Sequence, residues 1–149
     1  MLYFDTSFVA PLVVLEETSA RVAEFVNTLP AGQLAISQWT RVELSSVLGI
    51  RARMGRLKPK EAIEADDRFE ATTKRSFAIL QPTADDFDRA RAFLRQHKLG
   101  LRAGDALHLA IASNHGAEAI YSLDKTMLKA GRSLGLPLSS GIRLSGYAH

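Results

Sequence analysis

Four acids, Asp5, Glu43, Asp105 and Asp124, are the residues of this chain whose types and placement can support chemistry. Asp5 ends the apolar run Leu2-Tyr3-Phe4 and precedes two hydroxyls, Thr6 and Ser7. Asp124 directly follows a second run, Ala119-Ile120-Tyr121-Ser122-Leu123, and Glu43 lies within two helical turns of a third, Leu34-Ala35-Ile36. Asp105 opens a helix after the glycine-punctuated turn Leu99-Gly100-Leu101-Arg102-Ala103-Gly104. Taken singly, Asp5 and Asp124 read as caps of the helices that follow, and Asp105 as a complement to a helix dipole. Asp85 and Asp86, in the capping-box spacing Thr83-Ala84-Asp85-Asp86, are assigned to capping. Glu43 resists that reading. The residues four before, four after and seven after it are Trp39, Val47 and Ile50, which puts its carboxylate on an apolar helical stripe. An ionised group there is costly unless a cation or donors meet it.

Clustered carboxylates, with no cysteine in the chain and no suitably spaced histidines, suit a hard divalent cation, Mg2+ or Mn2+, rather than zinc. Like charges held close need such a cation to stay ionised together. A site of this kind makes a nucleophile from water and stabilises the charge that develops on a phosphodiester. Metal-dependent phosphodiester hydrolysis is therefore the chemistry expected. Arg51, Arg53, Arg56, Lys58 and Lys60 lie within residues 51–60 with no acid among them, either a solvated interhelical turn or a phosphate-facing patch. His108, one turn after Asp105, reads as a hydrogen-bonded core or supporting histidine in preference to a general base. Thr6, Ser7 and Ser122 either support the acids by hydrogen bonds or terminate strands. Neither a Gly-x-Ser-x-Gly nucleophile motif nor a P-loop is present.

The elements that must position these groups follow from the hydrophobic pattern. Leu2–Phe4, Leu34–Ile36, Phe77–Leu80 and Ala119–Leu123 read as short buried strands, with a further edge strand near Leu136-Pro137-Leu138. Between them lie helices: one capped by Thr18 or Ser19, one from Ser37 to about Gly55, one opened by Pro59, one after Thr83, one from Asp105 and one from Lys125. Alternating strands and helices give an α/β fold, a parallel sheet covered on both faces, with Leu2–Phe4 central and ligands at the carboxyl ends of the strands. At 149 residues the chain is expected to be one domain, 1–149. Its net charge of +3 is only a mild bias toward polyanions. No run approaches the ~18 apolar residues of a membrane span and no leader pattern opens the chain, so a cytoplasmic protein without a membrane partner is expected.

Together these residues resemble the PIN-domain ribonucleases, specifically the VapC-type toxins of toxin–antitoxin pairs, over essentially the whole chain. Asp5-Thr6-Ser7 resembles the family's first motif, and Glu43 within Trp39-Thr40-Arg41-Val42-Glu43-Leu44 the second. The third and most specific is Arg102-Ala103-Gly104-Asp105-Ala106-Leu107-His108-Leu109-Ala110, and Ser122-Leu123-Asp124 is similar to the fourth. Where the family usually has an aromatic three residues after the last aspartate, this chain has Met127, a packing variation.

The resemblance implies a three-layer α/β/α sandwich around a mostly parallel four- to five-stranded sheet. It implies a Mg2+- or Mn2+-dependent endoribonuclease, usually a homodimer, inhibited by a small cognate antitoxin that lies across the active-site groove. Carried over, Asp5, Glu43, Asp105 and Asp124 would be catalytic and hold metal directly or through water. Thr6 and Ser122 would support them. Arg51 and Arg53 from the basic segment, with Arg102, are the candidates to bind RNA, and Arg102 could instead pair with an acid. Two other readings remain at this point. One is a phosphoryl-handling phosphatase or receiver domain, although Ser7 stands where the phosphatases usually place a second Asp and the opening strand lacks a receiver's adjacent acids. The other is an inactive binding module whose acids are only caps.

Overall fold

The computed structural model describes residues 1–147. Its centre is a parallel sheet of five strands among the described residues, in the spatial order β3-β2-β1-β4-β5. The strands are β1 (Leu2–Phe4), β2 (Leu34–Ser37), β3 (Ala78–Leu80), β4 (Ala119–Tyr121) and β5 (Leu138–Ser139). The most N-terminal strand is thus the middle one. Leu2 pairs with Leu34 on one side and Ala119 on the other, and Phe4 reaches Tyr121.

Alternation along β1 separates the two cores, because successive strand side chains point to opposite faces. Leu2 and Phe4 belong to one apolar cluster with Phe8, Val22, Ile36, Leu44, Leu48 and Phe69. Helices α1 (Thr6–Val9), α2 (Ser19–Asn27), α3 (Gln38–Arg53) and α4 (Pro59–Ser76) close that face. Tyr3 belongs to the other cluster, with Phe93, Leu109, Ile111, Ile120, Met127 and Leu128. There the cover is α5 (Ala84–Leu94), α6 (Ala103–Asn114) and α7 (Lys125–Ser133). The result is the three-layer α/β/α sandwich.

Helix boundaries follow their caps. The Ser37 side chain accepts from Thr40 N–H in a capping box that starts α3, and Gly55, at φ +73°, follows its end. Pro59 is the first residue of α4. At α5 the Asp86 carboxylate accepts from Thr83 N–H at 2.9 Å, as its capping assignment requires, and also from Asn114 at 2.8 Å. Three expectations change. Phe77–Leu80 is not a buried strand: β3 is a sheet edge, with Ala78 exposed and Ile79 and Leu80 half-buried. The Ala119–Leu123 strand stops at Tyr121, which leaves Ser122 and Leu123 in the loop before Asp124. Neither Thr18 nor Ser19 caps α2 with its side chain; Ser19 Oγ instead accepts from Glu16 N–H and donates to the Val14 carbonyl.

Candidate metal and active-site groove

The chain runs from β1 outward to β2 and β3, then returns to the other side of β1 for β4. Strand order reverses there, and the crevice beyond the carboxyl ends of such strands is where α/β sheets bind ligands. A groove of about 720 Å3 opens at that place, and Asp5, Glu43, Asp105 and Asp124 all line it.

Asp5 is the innermost acid, 2% exposed. Its Oδ1 accepts from Phe8 N–H at 3.0 Å and from Ser7 Oγ at 2.7 Å, and its Oδ2 accepts from Ser122 Oγ at 2.6 Å. It does cap α1, so the capping reading and the site reading describe the same side chain. The same hydroxyls tie the ends of β1 and β4 together: Leu123 N–H donates to Ser7 Oγ and Asp124 N–H to Ser122 Oγ. Burial pushes the Asp5 carboxyl above its usual pKa, against the opposing pull of His108 and these three donors.

Glu43 enters from α3. The stripe Trp39, Glu43, Val47 and Ile50 forms a wall of the groove, while the core face of α3 carries Thr40, Leu44 and Leu48. The apolar stripe read from the sequence is therefore correct in its members, and it faces the groove that Asp5 and Asp124 also line. Glu43 Oε1 lies 2.8 Å from His108 Nε2. Burial alone would raise the Glu43 pKa, but the hydrogen bond and charge of His108, the Thr6 hydroxyl and Arg102 outweigh it and hold the carboxyl below its ordinary range.

His108 is 1% exposed and does not line the groove. Its Nδ1 is 2.8 Å from Tyr3 Oη, which is 2.9 Å from Ser37 Oγ, and its Nε2 is also 3.2 Å from Thr6 Oγ1. Burial disfavours its charged form, yet the neighbouring Tyr3 oxygen and the Glu43 and Asp5 carboxylates prevail and push its pKa up to about 10. A protonated His108 donates from both ring nitrogens and supplies the positive charge that Glu43 needs.

Asp105, third residue of α6, and Asp124, N-cap of α7, stand at the mouth of the groove. Burial together with the charges of Asp124 and Asp5 pushes the Asp105 pKa up to about 6. Asp124 accepts from Met127 N–H at 2.9 Å, so it caps as well. Arg102 reaches both, with Nε 3.8 Å from Asp105 Oδ2 and an Nη 3.9 Å from Asp124 Oδ2. Gly104 permits the close packing of α6 on α3: a Cβ there would fall 2.7 Å from Glu43 Oε2 and 3.1 Å from Trp39 Cζ2. Trp39 Nε1 donates to the Gly104 carbonyl at 3.2 Å and completes that junction.

The structure divides the basic segment. Arg51 lines the groove, ion-paired with Glu16, whereas Arg53 does not line it. Arg56, Lys58 and Lys60 are exposed around the α3–α4 turn. The supporting roles of Tyr3, Ser37, Trp39 and Gly104 were not assigned from the sequence, although Trp39 and Gly104 stand in the motifs quoted for the acids; for Tyr3 the signal was an aromatic hydroxyl inside a buried strand, which requires a partner.

Among the described residues no group of three or more His, Asp or Glu side chains is gathered closely enough to hold a metal ion as it stands. What the groove presents is a set of hard oxygen donors whose mutual repulsion is visible at Asp105. That fits Mg2+ or Mn2+, ions that use one or two carboxylates and keep much of their water.

A PIN-domain family model matches residues 2–133. The chain belongs to the PIN-domain family. No curated protein matches it by sequence. Among solved structures, this PIN domain is similar to VapC20 of Mycobacterium tuberculosis, described as a sarcin-ricin loop cleaving toxin, with a TM-score of 0.67 and 20% identity over 88% of this chain and 95% of that one. It is also similar to VapBC-1 of nontypeable Haemophilus influenzae, with a TM-score of 0.67 and 19% identity over 95% and 98% of the two chains. A third is VapBC2 of Rickettsia felis, solved with a DNA fragment from its promoter, with a TM-score of 0.65 and 18% identity over 93% and 98%. At these identities the likeness is one of fold.

Proposed function

We propose that this PIN domain is a Mg2+- or Mn2+-dependent endoribonuclease and the toxin of a toxin–antitoxin pair. The observation that carries the reading is the convergence of Asp5, Glu43, Asp105 and Asp124, from four different elements, on one groove at the reversal point of a parallel sheet. The family match sets this chain apart from the phosphatases and receivers that also begin with an acidic strand end. Toxins and toxin–antitoxin complexes among the structural neighbours support the toxin role. A small antitoxin as partner, a cytoplasmic setting and a homodimer as the assembly belong to the same proposal.

In this reading Asp5, Glu43, Asp105 and Asp124 would hold a divalent cation, which would supply a lowered water pKa and offset the charge that develops on the phosphodiester oxygens. The chain's own residues prepare the place. Ser7 and Ser122 fix both oxygens of Asp5, so that it enters the groove in one orientation. His108 keeps Glu43 ionised and pointed inward. Arg51 lines the groove and, from within its ion pair with Glu16, would meet a phosphate of the strand, while RNA shape beyond the acids would set the target.

The test is cleavage of RNA by purified protein with Mg2+ or Mn2+ and with EDTA, alongside Asp5→Asn and Asp105→Asn. Loss of cleavage by at least about 100-fold in each folded variant is expected, since these groups act on the transition-state charge. Activity that survives in EDTA or in both variants refutes the assignment. An inactive binding module would instead show no carboxylate-dependent Mn2+ binding in calorimetry.

A further inference from the structure

Arg102 is the N-cap of α6, yet no side-chain capping bond fixes it, and its side chain is 83% exposed. It nevertheless lies against two groove acids at once, 3.8 Å from Asp105 and 3.9 Å from Asp124. Both separations exceed hydrogen-bond length, so the guanidinium is drawn to the acids by charge without the paired, parallel bonds of a locked arginine fork. Its field extends further, and helps to keep Glu43 ionised. The other groove cation, Arg51, is 26% exposed and ion-paired with Glu16, and has no such freedom. Resting on the metal-site reading above, we propose that Arg102 is the resident counter-ion of the groove: it neutralises Asp105 and Asp124 until a divalent cation binds, and then turns on its exposed stem to a phosphate oxygen of the bound strand.

The two roles follow from one geometry. A divalent cation held by Asp105 and Asp124 removes the attraction that keeps Arg102 over them and adds repulsion at close range. A guanidinium released from the two acids is then free beside the path of a polyanion, where its planar fork suits a phosphate. Arg102 would therefore weaken metal binding and strengthen substrate binding. A purely structural cap would do neither.

The test titrates Mn2+ by calorimetry into wild type, Arg102→Gln and Arg102→Lys at one pH and ionic strength, with circular dichroism to confirm the fold. Two loose, partly exposed ion pairs of this kind correspond to a gain of about three- to tenfold in Mn2+ affinity in R102Q, with R102K close to wild type. At saturating Mn2+, R102Q should show a KM for RNA raised about threefold or more with kcat little changed. Unchanged or weaker Mn2+ binding in R102Q overturns the proposal, as does an unchanged KM. Absence of carboxylate-dependent Mn2+ binding in wild type would be a different failure: it removes the metal site itself, and this proposal with it.

Discussion

At the scale of single residues, the proposed metal site would set a proton and a divalent cation in competition for the same carboxylate. Asp105 titrates near 6 in the folded, metal-free chain, against an ordinary value of 3.8, because burial and the charges of Asp124 and Asp5 oppose its ionisation. The folded state therefore holds that proton more tightly than the unfolded state does. Its contribution to stability is full below pH 3.8 and is lost as pH rises through about 6. Asp105→Asn, which cannot ionise, lacks this loss. The metal-free variant should thus gain stability relative to metal-free wild type between pH 5 and pH 7.5, as read by urea denaturation at the two values. The same competition makes apparent Mn2+ affinity fall as pH drops below about 6, since a protonated Asp105 is a poor ligand. A wild-type affinity that stays flat from pH 7.5 to 5 would show that Asp105 is not part of the binding site.

At the scale of elements, α3 and α6 have to meet closely enough for Glu43 to reach His108, and Gly104 is the residue that allows it. Gly104→Ala puts a methyl 2.7 Å from Glu43 Oε2 and 3.1 Å from Trp39 Cζ2. The carboxylate end is flexible and will give way, and alanine favours the helix, so the two effects on stability partly cancel. Displacement of Glu43 has no such compensation. RNA cleavage should fall by about 10- to 100-fold, as catalytic groups displaced by about 1 Å commonly show, while the thermal midpoint moves by only a few degrees. Full activity in G104A would mean that Glu43 tolerates displacement and does not position the reacting groups. Elements were also where the sequence was most legible. A three-residue apolar run ended by Asp5, and Ser37 ahead of a periodic segment, locate β1 and α3 because strand burial and capping are local. Ala78–Leu80 has the same apolar composition as the central strands, and only its place at the sheet edge makes it half-exposed. The Tyr3–His108–Glu43 chain was illegible for the same reason: its members are separated by up to 105 residues and meet only through the packing of α6 on the sheet.

At the scale of the whole molecule, the groove concentrates negative charge that the fold must tolerate when no cation is present. Four carboxylates from the ends of β1 and β4 and from α3 and α6 converge, with Arg102 as loose compensation at the mouth and His108 as buried compensation at the base. A ligand that binds the folded chain and not the unfolded one stabilises by about 2.7 kcal/mol at a concentration 100 times its Kd. For a chain of this size each kcal/mol raises the midpoint by about 2–4 °C, so saturating Mn2+ should raise the Tm of wild type by about 5–10 °C at pH 7.5. Ca2+, another hard cation with oxygen ligands, separates binding from catalysis: any stabilisation it gives reports the acids alone. Asp5→Asn and Asp105→Asn should each remove most of the Mn2+ increment, whereas Arg53→Gln, outside the groove, should keep it. If every variant keeps the full increment, the ion is binding elsewhere on the surface and the four acids are caps that happen to share a cleft.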